Sequence, residues 1–125
     1  MSRILSLDFG DRRIGVALTD ETKTISLPQP YIFNQEKEKI IALVKDKDVE
    51  QILLGLPIGL SGRDTAATEK VRKFAVWLEG ATRVPVLLID ERLTTSEVRR
   101  FETNKELIDS LVAQKMLERY IENSK

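Results

Sequence analysis

Short apolar runs alternate with charged stretches along the chain, and the period of that alternation changes partway. Ile4-Leu5-Ser6-Leu7 is nearly apolar and ends at Asp8-Phe9-Gly10. Ile14 to Thr19 is a second strand candidate, followed by the polar turn Asp20-Glu21-Thr22-Lys23. Thr24 to Leu27 reads as a third strand, with Pro28 and Pro30 favouring an edge position because proline donates no ladder hydrogen bond. Three closely spaced strands with short polar turns predict an antiparallel meander. From Glu36 to Lys47 the apolar positions Ile40, Ile41, Leu43 and Val44 sit among charges, the pattern of an amphipathic helix. Ile52-Leu53-Leu54-Gly55-Leu56 is apolar without alternation, and Pro57 stops it, which suits a strand covered on both faces. Ser61 or Thr65 can cap the next helix, whose stripe is Ala67, Val71, Phe74 and Leu78 and whose stop is expected at Gly80. Val86-Leu87-Leu88-Ile89 reads as another buried strand, ending in Asp90-Glu91. Thr94 with Glu97 matches a capping box, and a last helix is expected over Lys105 to Ile121.

The predicted order is β-β-β-α-β-α-β-α in one domain, residues 1–125. A meander followed by crossovers gives an α/β fold, a mixed five-stranded sheet with helices on both faces. The first, fourth and fifth strands would form its parallel centre. Ligands of such sheets gather beyond the carboxyl ends of the parallel strands. Those ends carry Asp8, Gly55-Leu56-Pro57 and Asp90-Glu91.

Composition narrows the chemistry available there. The 125 residues include no histidine and no cysteine, so histidine triads, thiol nucleophiles and the usual zinc sites are excluded. Carboxylates, hydroxyls, lysines or a metal held by oxygen remain, and oxygen ligands favour Mg2+ or Mn2+. With 20 basic and 20 acidic residues the formal net charge is zero, so only a local patch can favour nucleic acid. No apolar run approaches the roughly 20 residues of a membrane span, and Met1-Ser2-Arg3 opens no secretory signal. A cytoplasmic protein with no membrane partner is the expectation.

Asp8 ends a strand and precedes Gly10. It suits either a rigidly held functional carboxylate or a turn-forming aspartate. Gly10 and Gly15 flank Asp11-Arg12-Arg13-Ile14, where Arg12 and Arg13 can meet phosphate oxygens, or simply face solvent in a glycine-rich hairpin. Adjacent acids at Asp90-Glu91 are costly at a strand end unless paired, hydrated or metal-bound. Arg92 can neutralise one of them or, with Arg12 and Arg13, hold phosphates, and Glu91 is favoured as the functional acid with Asp90 as its neighbour or substitute. Asp109 starts the helical stripe Asp109, Ala113, Met116, Tyr120, as a ligand or as compensation of the helix dipole. Thr94 and Thr95 read first as caps whose hydroxyls can touch a phosphate. Arg99-Arg100 reads as a solvated face or an extension of a basic groove, and Trp77 as packing or surface rather than a base-stacking ring. Taken together, Asp8, Glu91 and Asp109 can share two metals about 3.5–4 Å apart, an arrangement that activates water and stabilises a leaving oxygen.

Leu7-Asp8-Phe9-Gly10 with Arg13-Ile14-Gly15-Val16-Ala17 resembles the opening signature of the YqgF/RuvX family. Gly55-Leu56-Pro57 with Gly62, then Asp90-Glu91-Arg92-Leu93-Thr94-Thr95, then Ile108-Asp109-Ser110 with Ala113 resemble its later motifs, in family order. The resemblance implies a ribonuclease H-like fold related to Holliday junction resolvases. It also implies a nuclease that matures the 5′ end of precursor 16S ribosomal RNA, with Asp8, Glu91 and Asp109 as its acids. The chain departs from the family pattern at Gly59, Ser61 and Val112, and its stretch from Arg100 to Leu107 is short. Three functions follow for comparison: an RNA phosphodiesterase, a resolvase of branched DNA acting as a dimer, and a non-catalytic nucleic-acid-binding module of ribosome assembly. No dimer face is legible, so the oligomeric state stays open.

Overall fold

A computed structural model describes residues 2–59, 61–90 and 105–123, without the side chains of 105–109. Five strands form one sheet: β1 (Arg3–Phe9), β2 (Arg13–Thr19), β3 (Ser26–Phe33), β4 (Val49–Leu56) and β5 (Val86–Asp90). The helices are α1 (Lys39–Asp46), α2 (Ala66–Thr82) and α3 (Lys105–Asn123), and a 3-10 turn at Asn34–Glu36 precedes α1. The spatial order is β3-β2-β1-β4-β5. The β1–β2 and β2–β3 pairs are antiparallel, and β1–β4 and β4–β5 are parallel. This is the mixed sheet expected from the sequence.

Alternation along β1 sorts the two layers, because successive side chains point to opposite faces. Leu5 and Leu7 join Ile14, Val16, Ile52, Leu54 and Leu56 under α1 and α2, which contribute Ile40, Val44, Val71, Phe74 and Leu78. Ile4 belongs to the other face with Ala17 and Leu53, covered by Ala113, Leu117 and Ile121 of α3. Burying a Leu or Ile side chain stabilises by about 1.5–3 kcal/mol, so the larger layer under α1 and α2 carries most of the stability. Trp77 is packing, as expected. It stacks on Phe74 at 5.7 Å, and the Lys37 ammonium lies over its ring at 4.8 Å.

Several boundaries differ from expectation. The third strand is Ser26–Phe33 rather than Thr24 to Leu27. Asp20 accepts hydrogen bonds from the Thr22 hydroxyl and from the backbone N–H groups of Thr24 and Ile25, which keeps Thr24 in the turn. These bonds, the Thr22 hydroxyl foremost, hold the Asp20 carboxyl well below the usual range. Both prolines then lie inside an edge strand, where their missing N–H groups cost little. The fifth strand is an edge rather than a buried strand of the centre, and Leu87 is 42 % exposed. Helix α1 begins at Lys39 because the 3-10 turn occupies residues 34–36. Helix α2 is capped by Thr65, whose side chain accepts from Thr68 N, and it runs through Gly80 to end at Arg83 with φ 60°. The helix predicted to begin at Thr94 lies outside the described residues.

Candidate active site

Asp8 is the last α3-facing residue of β1, following Ile4 and Ser6 on that side. It pairs with Gly15 of β2, which places no side chain beside it. Asp8 is half-buried. Beyond it the chain must turn tightly at Gly10. A Cβ there would lie 2.6 Å from the Arg13 carbonyl oxygen, a separation that backbone cannot tolerate. The Asn34 side-chain amide donates to the Gly10 carbonyl at 2.7 Å, and Asn34 N–H donates to the Arg12 carbonyl at 2.9 Å. The end of β3 thereby clamps the hairpin that follows Asp8. Replacing Gly10 with alanine should cost about 1–3 kcal/mol, the usual range for forced overpacking, readable as a lowered urea midpoint with an unchanged m-value.

The β4 end lies beside β1. The carbonyl of Pro57 accepts a hydrogen bond from the Thr68 hydroxyl, tying that turn to the start of α2. Gly62, with φ 81°, makes the turn that lets Gly59 N–H reach the Arg63 carbonyl at 2.9 Å. At the β5 end Asp90 is in register with Leu56, a member of the layer under α1 and α2. Ile89 packs instead with Leu53 on the α3 side. Asp90 is therefore exposed on the face opposite Asp8.

Helix α3 is fixed at the same end of the sheet. The Ser110 hydroxyl donates to the Gln29 carbonyl at 2.8 Å and lies 3.5 Å from the Val16 amide, which donates to it. Val16 directly follows Gly15, the partner of Asp8, so the backbone of residue 109 enters the fold at the Asp8 end. Further down α3, Ala113 and Met116 are buried, and Tyr120 donates to the Gln51 side-chain oxygen at 3.1 Å. Glu91, Arg92, Thr94 and Thr95, and also Arg99-Arg100, lie outside the described residues, as does the side chain of Asp109. Among the described residues, no three acids come together in a metal-binding group.

Arg12 and Arg13 flank this end. Arg12 is exposed and lines a cavity of about 370 Å3 with Asp11, Phe33, Asn34 and Gln35. The Arg13 guanidinium lies 5.6 Å from the centre of the Tyr31 ring. Asp11 is paired with Lys70 at 3.2 Å on the exposed surface. Asn34, Tyr31 and Phe33 escaped the sequence reading, although the spacing of the two aromatics puts them on one face of a strand.

A family model described as "RuvX: Holliday junction resolvase" matches residues 2–123. A relative from Koribacter versatilis, named "Putative pre-16S rRNA nuclease", is 35% identical over 96% of this chain and 86% of its own length. One of the same name from Caldanaerobacter subterraneus is 36% identical over 98% of each. Among solved structures, Thermus thermophilus RuvC in complex with a Holliday junction substrate superposes with a TM-score of 0.65 at 11% identity, covering 99% of this chain and 96% of that one. The fowlpox virus resolvase with its junction DNA gives 0.59 at 10% identity, covering 98% of each. At such identities the superpositions speak for the fold, which is ribonuclease H-like. On the family match and the two relatives, the chain belongs to the RuvX family, a family of nucleases.

Proposed function

We propose that the chain hydrolyses phosphodiester bonds of precursor 16S ribosomal RNA at its 5′ end, using divalent cations held by Asp8, Glu91 and Asp109. The observation that carries this reading is the position of Asp8. It stands at the carboxyl end of a central strand, on the face where Ser110 pins the first turns of α3. Asp109 precedes Ser110 on that helix. Alternation along β5 puts Ile89 on the α3 side and Asp90 on the other, which disfavours Asp90 as a partner of Asp8 and leaves Glu91 as the acid favoured by the sequence.

The donor set fits a hard cation. Every ligand on offer is oxygen, since the sequence contains no histidine or cysteine. A divalent ion bound there supplies Lewis-acid stabilisation of the phosphoryl oxygens and lowers the pKa of an attacking water. The remaining tasks fall to the chain itself. Arg12 and Arg13 orient the phosphate backbone, and the tight turn at Gly10 lets that backbone come close. Working with substrate RNA in the cytoplasm suits a chain in which no described helix is long and apolar enough to cross a membrane.

Chelation tests the reading. EDTA should abolish cleavage of a precursor RNA carrying the 5′ extension, and excess Mg2+ or Mn2+ should restore it. Cleavage that survives chelation and dialysis would remove the metal from the proposal. The likeness to RuvC supports a second reading, resolution of branched DNA, which requires two subunits to cut two strands. Sizing of the protein, with junction DNA and precursor RNA assayed side by side, separates the two.

A further inference from the structure

Two aromatic rings near the amino-terminal hairpin have no role in the chemistry above. Phe33 is 45 % exposed at the end of edge strand β3. Tyr31 meets it edge to face, with ring centres 5.1 Å apart. Arg13 is paired with Phe33 across β2–β3 and covers the Tyr31 ring at 5.6 Å. Arg13 lies two residues before Gly15, the partner of Asp8, so alternation puts Arg13 and Phe33 on the Asp8 face. Two strand spacings and two residues along a strand place Phe33 about 12 Å from Asp8. The cavity of about 370 Å3 beside Phe33 has Arg12 in its wall and falls in the size range of small-ligand sites.

We propose that Phe33 and Tyr31, with Arg12 and Arg13, form a stacking platform for an unpaired base of a single-stranded nucleic acid whose backbone continues toward Asp8. Charge and shape agree on this occupant. Lys70 already balances Asp11, and the exposed Arg12 in the cavity wall carries charge of the sign that phosphates need. An exposed ring beside guanidinium groups suits a base face followed by its phosphate, and stacking of this kind accepts any base. A duplex keeps its base faces inside the stack and offers the platform only its ends. The platform thus selects substrate with an unpaired segment at a fixed distance from the cut. This rests on the nuclease reading for its purpose, but its binding test does not depend on cleavage.

The test is fluorescence anisotropy in EDTA, with end-labelled single-stranded oligoadenylate, its DNA counterpart and a hairpin-closed duplex. Phe33→Ala should weaken binding of both single strands by roughly fivefold to a hundredfold, the usual loss of one stacked base, and Phe33→Tyr should restore it. Arg12→Gln should weaken single-strand binding and lower the salt slope by about one. Val76→Ala, at a 75 % exposed position on α2, should change nothing. Single-strand affinity indifferent to Phe33→Ala, or a duplex bound as tightly as the single strands, overturns the platform. The two readings fail separately, because Asp8→Asn should lose cleavage while keeping Phe33-dependent binding.

Discussion

Asp8→Asn is expected to leave the protein folded and to reduce metal-dependent cleavage by at least about a hundredfold. The substitution keeps the shape of the side chain while turning one acceptor oxygen into an NH2 donor and removing the charge a hard cation needs. Loss of a residue that merely supports a metal ligand already costs about 10–100-fold, so loss of a ligand itself should cost no less. Structural consequences should be small. Asp8 is half-buried at a strand end, and its strand is held by Leu5 and Leu7, which are fully buried on the other face. The thermal midpoint should move by a few degrees at most, while initial rates at saturating Mg2+ collapse. A variant that cuts at the parental rate would remove Asp8 from the site.

The largest loss of stability is expected at Leu54. It is fully buried in the layer under α1 and α2, paired with Leu7 on one side and Leu88 on the other. Leu54→Ala would leave a cavity between three parallel strands, where backbone ladders prevent collapse. Such truncations cost about 2–5 kcal/mol, against a total stability of about 5–15 kcal/mol for ordinary domains. Urea unfolding should show a midpoint lowered in proportion at an unchanged m-value. A cost below 1 kcal/mol would mean that this layer is not close-packed around Leu54.

Strand identity was legible wherever alternation or an unbroken apolar run was strong, as at β1 and β4. The errors have separate physical causes. The edge position that Pro28 and Pro30 favour is where β3 lies, but the strand runs on through both prolines to Phe33 instead of ending at Leu27. Gly80 reads as a helix stop, yet Leu78 is fully buried in the core, and α2 continues beyond the glycine to Arg83. Edge exposure of Leu87 depends on which strand lies beside β5, and no local pattern carries that information. The same limit applied to Asp90 and Glu91. The face of Asp90 follows from the pairing of β5 with β4, whereas the sequence offered only two adjacent acids. Asp8 was legible as a candidate because a carboxylate directly after a buried run stands out. Phe33 did not stand out, because the strand that presents it was expected to end at Leu27.

The two hydrogen bonds of Ser110 join residues 81 and 94 positions apart in the chain. Contacts of such separation close late in folding, after the entropy of the intervening loop has been lost. Synthesis proceeds from the amino end, so the meander bearing Asp8 emerges long before the helix bearing Ser110. A ribosome-bound fragment stopped before residue 105 would lack the Ala113, Leu117 and Ile121 side chains that pack on Ile4, Ala17 and Leu53. Completion of this domain is thus timed by the emergence of α3.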